Sequence, residues 1–175
     1  MLKVSIKDIR KSTGLWKRFQ FDGPLLIPDL RLEGEVKLDL RLTNAASRIM
    51  VEGPVKAGLR LPCSRCAEEF IFQVESELEE SFVPQKEGHV RSEDEAAAPE
   101  RWNVFTFEED RLILDEVIRQ ELLAAVPISP VCTVGCKGLC DSCGQNLNQG
   151  ACGCQAGDVD PRWAALQKFR EGQNH

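Results

Sequence analysis

The chain has 175 residues, of which 42% are hydrophobic and 29% charged, with a net charge of −6. That length accommodates one ordinary domain, or a domain with a small metal-stapled lobe. No apolar run approaches the ~20 residues that span a bilayer, and the negative balance excludes a uniformly basic nucleic-acid binder.

Charge is unevenly placed. Residues 1–20 carry Lys3, Lys7, Arg10, Lys11, Lys17 and Arg18 against the single acid Asp8, and residues 75–100 carry nine acids against Lys86 and Arg91. The plain reading of both runs is a solvated face, with a basic patch at the front end as the alternative. Val4, Ile6 and Ile9 suit a short strand or one helical turn, and the period does not decide between them. Trp16, Phe19 and Phe21 follow, interleaved with Lys17 and Arg18. Such aromatics are more often core, although they can also stack on RNA bases.

After Gly23-Pro24 and Pro28 the alternation becomes clear. Val36, Leu38, Leu40 and Leu42 fall at every second position with charged residues between them, which predicts a half-buried strand. Residues 43–47 turn the chain, and Ile49, Val51, Val55, Ala57 and Leu59 continue the pattern to Pro62, with Gly53-Pro54 expected at a bulge or an edge. Phe70, Phe72, Val74 and Leu78 resume it, ending near Phe82, so three strands form a meander with one apolar side. Residues 84–101 are acidic, contain three consecutive alanines and read as a loop inserted within the fold. Residues 102–107 look like another strand. Leu114, Val117, Ile118, Leu122 and Ala125 predict a helix over 114–126, acidic at its start and ended by Pro127. Asp160-Pro161 opens a last short helix bearing Trp163, Leu166 and Phe169. The expected class is α+β: an antiparallel β meander or partial barrel, one or two packed helices, and a C-terminal Cys-rich zinc-knuckle segment. The sheet domain is expected over 1–130, with the tail 131–175 docked on it.

Six of the eight cysteines lie between positions 132 and 154, and the other two form Cys63-Ser-Arg-Cys66. Four thiolates make one tetrahedral zinc cage, so the inventory suffices for two ions. Cys140, Cys143, Cys152 and Cys154 are close enough in sequence to close a local site with little loop-closure cost. Cys63, Cys66, Cys132 and Cys136 remain, and would clip two distant segments together. Disulfides and an iron–sulfur cluster are the alternatives. No apolar leader precedes the chain, so a reducing cytoplasm is expected, and the Cys-x-Cys pair with its Gly-rich knuckle is more usual for zinc. An all-thiolate cage leaves no open position for a substrate water, and His89 and His175 fall outside the clusters, so no enzyme and no small-molecule substrate are expected.

In this order of features the chain resembles the YceD-like family, named for large-subunit ribosomal RNA accumulation. The likeness rests on Cys63-Ser-Arg-Cys66 with Phe70 and a strand ending near Pro84, and on Leu114 to Leu123 with Val126-Pro127. It is strongest over Cys136-Lys-Gly-Leu-Cys140 to Asn146-Leu-Asn148 and at Asp160-Pro-Arg162. It implies a non-enzymatic factor for processing or accumulation of large-subunit (23S) ribosomal RNA, with that RNA or a large-subunit ribosomal protein as partner and no membrane. Lys17, Arg18, Arg65, Lys137 and Arg162 are the candidate RNA contacts. A zinc-dependent redox sensor or redox-gated chaperone is the alternative, because these thiols can release zinc on oxidation.

Overall fold

The computed structural model describes residues 1–85 and 104–154. Its strands are β1 (Lys3–Ser5), β2 (Trp16–Gly23), β3 (Leu32–Asn44), β4 (Ile49–Pro62), β5 (Glu69–Pro84), β6 (Val104–Phe107) and β7 (Arg111–Ile113), followed by helix α1 (Asp115–Ala125). Five of them form one sheet in the order β2-β3-β4-β5-β6, and β1 pairs with β7 in a separate two-stranded sheet.

Period-two alternation decides which face of the large sheet is buried. Val36, Leu38, Leu40 and Leu42 of β3, Ile49, Val51, Val55, Ala57 and Leu59 of β4, and Val74, Leu78 and Phe82 of β5 all point into one core. A one-residue slip would turn each row to water, so the register is strongly specified. Helix α1 packs on β5 and buries Val117, Ile118 and Leu122. The Ser76 hydroxyl donates to the Glu121 carboxylate across that contact. The helix ends at Ala125 because Pro127 disfavours helical geometry at Val126, which is extended with ψ 124°.

The amino-terminal residues use both conformations that their pattern allows. Lys3–Ser5 is a strand, and a 3-10 turn follows at Ile9–Lys11, with Val4, Ile6 and Ile9 all buried. The Leu2 amide donates to both carboxylate oxygens of Asp115 at 3.0 and 3.1 Å, which ties this arm to the start of α1. Asn44 holds the 3-10 turn to the β3–β4 turn. Its amide donates to the Ile9 and Ser12 carbonyls at 3.0 and 3.1 Å and accepts from the Ala46 amide at 3.1 Å.

Two expectations change. The meander is antiparallel through β5, but β6 joins it parallel to β5, from Ser81 opposite Val104 to Pro84 opposite Phe107, and among the described residues β2 and β6 do not pair to close the sheet. Gly53-Pro54 lies in a central strand, without a bulge. The β3–β4 pairs keep one offset from Leu38 opposite Val55 to Arg41 opposite Glu52, and Gly53 and Pro54 both pair with β5. The glycine answers a close approach instead: its φ is +141°, and an added Cβ would lie 2.3 Å from the Asp39 carbonyl oxygen. The register shift falls in β3, between Glu33 and Lys37. Among the described residues there is one α-helix; the helix expected at 160–169 and most of the acidic loop lie outside them.

Candidate metal centre

The β4–β5 hairpin carries the first two sulfurs at its tip. The Cys63 amide donates to the Glu68 carbonyl and the Ala67 amide to the Cys63 carbonyl, both at 2.9 Å, so residues 63–68 form a compact loop that presents Cys63 and Cys66 together. The chain leaving α1 runs past this tip, where the Ser64 amide donates to the Pro130 carbonyl at 2.8 Å. Cys132 and Cys136 thereby reach the hairpin from more than sixty residues away.

The four sulfurs of Cys63, Cys66, Cys132 and Cys136 lie within 4.8 Å of one another, as do those of Cys140, Cys143, Cys152 and Cys154. In the first group Cys63 Sγ is 3.8 Å from Cys136 Sγ, and Cys66 Sγ is 3.8 Å from Cys132 Sγ. A regular tetrahedron of sulfurs at about 2.3 Å from a central ion has edges of about 3.8 Å. The donor set therefore has the shape, as well as the chemistry, of a metal cage. All eight cysteines are free thiols.

Electrostatics point the same way. The Arg65 and Cys132 amides both donate to Cys63 Sγ at 3.4 Å. Backbone N–H groups, that of Cys132 foremost, lower the Cys63 thiol to about 6. Cys140 is lowered to about 6 by the Cys143 amide and then that of Ser142. Their neighbours respond in the opposite sense. Although the Glu68 amide favours its thiolate, Cys66 is pushed up to about 12 by burial and the adjacent sulfurs, and Cys154 is pushed up to about 12 chiefly by Cys143. Four thiolates this close repel one another, and a divalent cation among them removes that repulsion. Both cages therefore fit a metal ion.

The cages differ in burial. Cys63, Cys66 and Cys136 are 3–4% exposed and pack against Phe70 and Val131, whereas Cys143 and Cys154 are open to solvent. The local cage sits on a miniature ribbon. Leu139 pairs with Asn146, the Cys140 amide donates to the Gln145 carbonyl at 2.8 Å, and the Gly144 amide returns to Cys140 at 2.8 Å with Gly144 at φ +73°. Gly138 is also needed at φ +76°, where a Cβ would press to 3.1 Å from the Arg65 carbonyl oxygen.

The candidate RNA contacts do not gather into one patch. Lys17 lies on the inward face of β2, where its ammonium donates to the Ser5 carbonyl and stands 3.5 Å from Asp8. Arg18 lies on the outer face and grips both carboxylate oxygens of Asp39. Arg65 spans the metal clip, donating from Nη1 to the Cys136 carbonyl at 3.0 Å. Lys137 is exposed and makes no ion pair among the described residues, and Arg162 lies outside them. Arg18 is in the same cross-strand row as Glu52, ten positions before Pro62 at the clip end of β4. At ~3.3 Å per residue the two basic groups are roughly 33 Å apart. Of the aromatics, Phe19 and Phe21 pack against the core, and Trp16 is exposed with the Arg41 guanidinium 4.6 Å above its ring.

Sequence reasoning missed the side chain that touches a cage sulfur. Asn148 Nδ2 donates to Cys136 Sγ at 3.3 Å, and this bond leads the causes that lower the Cys136 thiol. Asn146-Leu-Asn148 is visible between the Cys pairs, but nothing in its spacing tells which cage it serves.

Comparison with known proteins agrees with this organisation. The family profile described as "Large ribosomal RNA subunit accumulation protein YceD" matches residues 51–170. An uncharacterised protein of Mycobacterium tuberculosis is 34% identical over 137 residues, covering 74% of this chain and 59% of its own length, and one of Mycobacterium bovis is equally similar. The chloroplastic large ribosomal RNA subunit accumulation protein YCED homolog 1 of Arabidopsis thaliana is 26% identical over 159 residues, covering 78% of this chain and 49% of its own length. The chain thus spans half to three fifths of the curated relatives that it matches. No solved structure matches it. With the family profile covering more than half of the chain, including both cysteine clusters, the protein belongs to the YceD family of large ribosomal RNA subunit accumulation proteins.

Proposed function

We propose that the protein is a non-enzymatic, cytoplasmic ribosome-biogenesis factor that supports processing or accumulation of 23S ribosomal RNA by binding that RNA or a large-subunit ribosomal protein. The observation that carries this reading is the family match over residues 51–170, whose description names large ribosomal RNA subunit accumulation. Zinc is the metal that best suits two all-thiolate tetrahedra, and closed cages of this kind act as scaffolds. In this reading they fix the β4–β5 hairpin tip and the tail as one rigid binding end. Arg65 and Lys137 flank the inter-segment cage and supply cations there. No helix among the described residues is long and apolar enough to cross a membrane.

The test is depletion of the protein in its host, with the ratio of large- to small-subunit ribosomal RNA and the precursor ends measured by primer extension. A fall in large-subunit RNA with accumulation of its precursor supports the function, and an unchanged ratio refutes it. Crosslinking in cells then separates the partners, because RNA adducts and ribosomal-protein adducts are read independently. Elemental analysis of chelator-free protein tests the metal: two zinc ions per chain are expected.

A further inference from the structure

Asn148 belongs to one cage by sequence and to the other by contact. It lies between Cys143 and Cys152, inside the loop that the local cage closes. Its side chain nevertheless bonds to Cys136, a ligand position of the inter-segment cage, at 3.3 Å. Among the described residues it is the only side chain other than cysteine that hydrogen-bonds a cage sulfur.

The orientation of its amide is fixed by the surrounding bonds. The Lys137 backbone N–H can only donate, and it points at Asn148 Oδ1 at 2.8 Å, so the NH2 end must face the sulfur. Asn146 is fixed in the same way. Its Oδ1 accepts from the Asn148 backbone at 3.0 Å and from Asn148 Nδ2 at 2.9 Å, which leaves its own NH2 facing Glu68 Oε1 at 3.4 Å. Gln149 adds a second donor to the same Glu68 oxygen at 3.3 Å. Glu68 belongs to the hairpin loop that carries Cys63 and Cys66. Residues 146–149 thus bond both halves of the inter-segment cage.

We propose that Asn148 couples the two cages, so that closing the local cage around a metal raises the metal affinity of the inter-segment cage. The loop that presents Asn148 is held at its near end by backbone bonds, from the Cys140 amide to the Gln145 carbonyl at 2.8 Å and from the Leu147 amide to the Gly138 carbonyl at 2.9 Å, and an ion shared by Cys140, Cys143, Cys152 and Cys154 would pin its far end as well. Opened, it loses the entropic advantage of holding an N–H against Cys136. Linkage requires the effect to be reciprocal: an occupied inter-segment cage strengthens the local one by the same factor. Bonds to a metal ligand of this kind are typically worth about 10–100-fold in affinity, which sets the expected coupling at about tenfold or more. The inference goes beyond the ribosomal reading and rests only on the cages as metal sites.

The experiment is stepwise titration of the metal-free full chain with Co2+ against a competing chelator, reading the absorption bands of tetrahedral thiolate cobalt. Four proteins are compared: wild type, Asn148→Ala, Cys143→Ser/Cys152→Ser, and all three substitutions together. Loss of the local cage is expected to weaken the inter-segment site about tenfold or more in the Asn148 background and to cost little further once Asn148 is alanine. Equal losses in both backgrounds, or no loss in either, overturn the proposal. Asn148→Asp keeps the acceptor for Lys137 and removes the donor to sulfur, so it is expected to behave like alanine; restored affinity would assign the effect to the backbone bond and overturn the coupling. Absence of the thiolate bands in wild type would remove the metal reading and this inference with it.

Discussion

Replacing Cys63 by Ser should cost far more thermal stability than replacing Cys143, and the difference can be sized from the two cages. A ligand that binds only the folded state adds RT ln(1 + [L]/Kd), about 4 kcal/mol when free metal is a thousandfold above its dissociation constant. The inter-segment cage joins the β4–β5 hairpin to the segment after α1, and three of its cysteines are 3–4% exposed, so unfolding the sheet must open it. At ~2–4 °C per kcal/mol for a chain of this size, its loss is worth about 8–16 °C. The local cage lies within residues 140–154 and two of its four cysteines are exposed, so its loss reaches the sheet through the bonds of residues 146–149, that of Asn148 to Cys136 and those of Asn146 and Gln149 to Glu68. A tenfold weakening is about 1.4 kcal/mol, or about 3–6 °C. The assay is calorimetry at chelator-buffered free Zn2+ for wild type, Cys63→Ser and Cys143→Ser. Wild type and Cys143→Ser should melt higher with each tenfold rise in free zinc, and Cys63→Ser should show little rise. Equal losses for the two variants, or a wild-type melting temperature indifferent to zinc, would refute the division into a clip and a local cage.

Asn44→Ala strands the Ile9 and Ser12 carbonyls and should cost about 1–3 kcal/mol, measured as a shifted urea midpoint with unchanged slope; a change under a few tenths would show that the turn does not depend on that amide. Gly53→Ala forces a Cβ onto the Asp39 carbonyl at an unfavourable φ and should cost roughly 2–5 kcal/mol, whereas Gly144→Ala, with open space around it, should cost less. Metal affinity should rise with pH. Cys66 and Cys154, pushed up to about 12, keep protons at neutral pH that an ion must displace, while below about 6 even Cys63 and Cys140 become protonated. Competition titrations that find the same affinity at pH 6 and pH 8 would contradict this.

The central strands were legible in the sequence because Val36 to Leu42 and Ile49 to Leu59 alternate against charges that have to face water. The inversion at the start of β2, before Phe19 and Phe21 turn inward as expected, was harder to see. Lys17 occupies an inward position there and Trp16 an outward one, so the local pattern contradicts the simple rule. The parallel direction of β6 was unreadable, since orientation depends on the route of the connection and four residues carry no signal of it. Gly53 gave the right hint of an unusual backbone but not its cause, which is a neighbouring strand's carbonyl. The two groups of four sulfurs followed from loop lengths, the covalent logic of the chain. Asn148 reaches a sulfur twelve positions back through a fold of the ribbon that spacing does not encode.

The inward position of Lys17 bears on how readily the edge of the sheet would accept another strand. Among the described residues strand β2 is the outer member of the five-stranded sheet, eight residues long and bearing half-buried Phe19 and Phe21, which is the profile of an edge that recruits another strand. A strand added there would lie beside the Lys17 side chain, whose ammonium is engaged by the Ser5 carbonyl and Asp8 and is still 24% exposed, and would take water from that charge. A single charge on the inner face is thus expected to disfavour edge-to-edge stacking while lying apart from either cage.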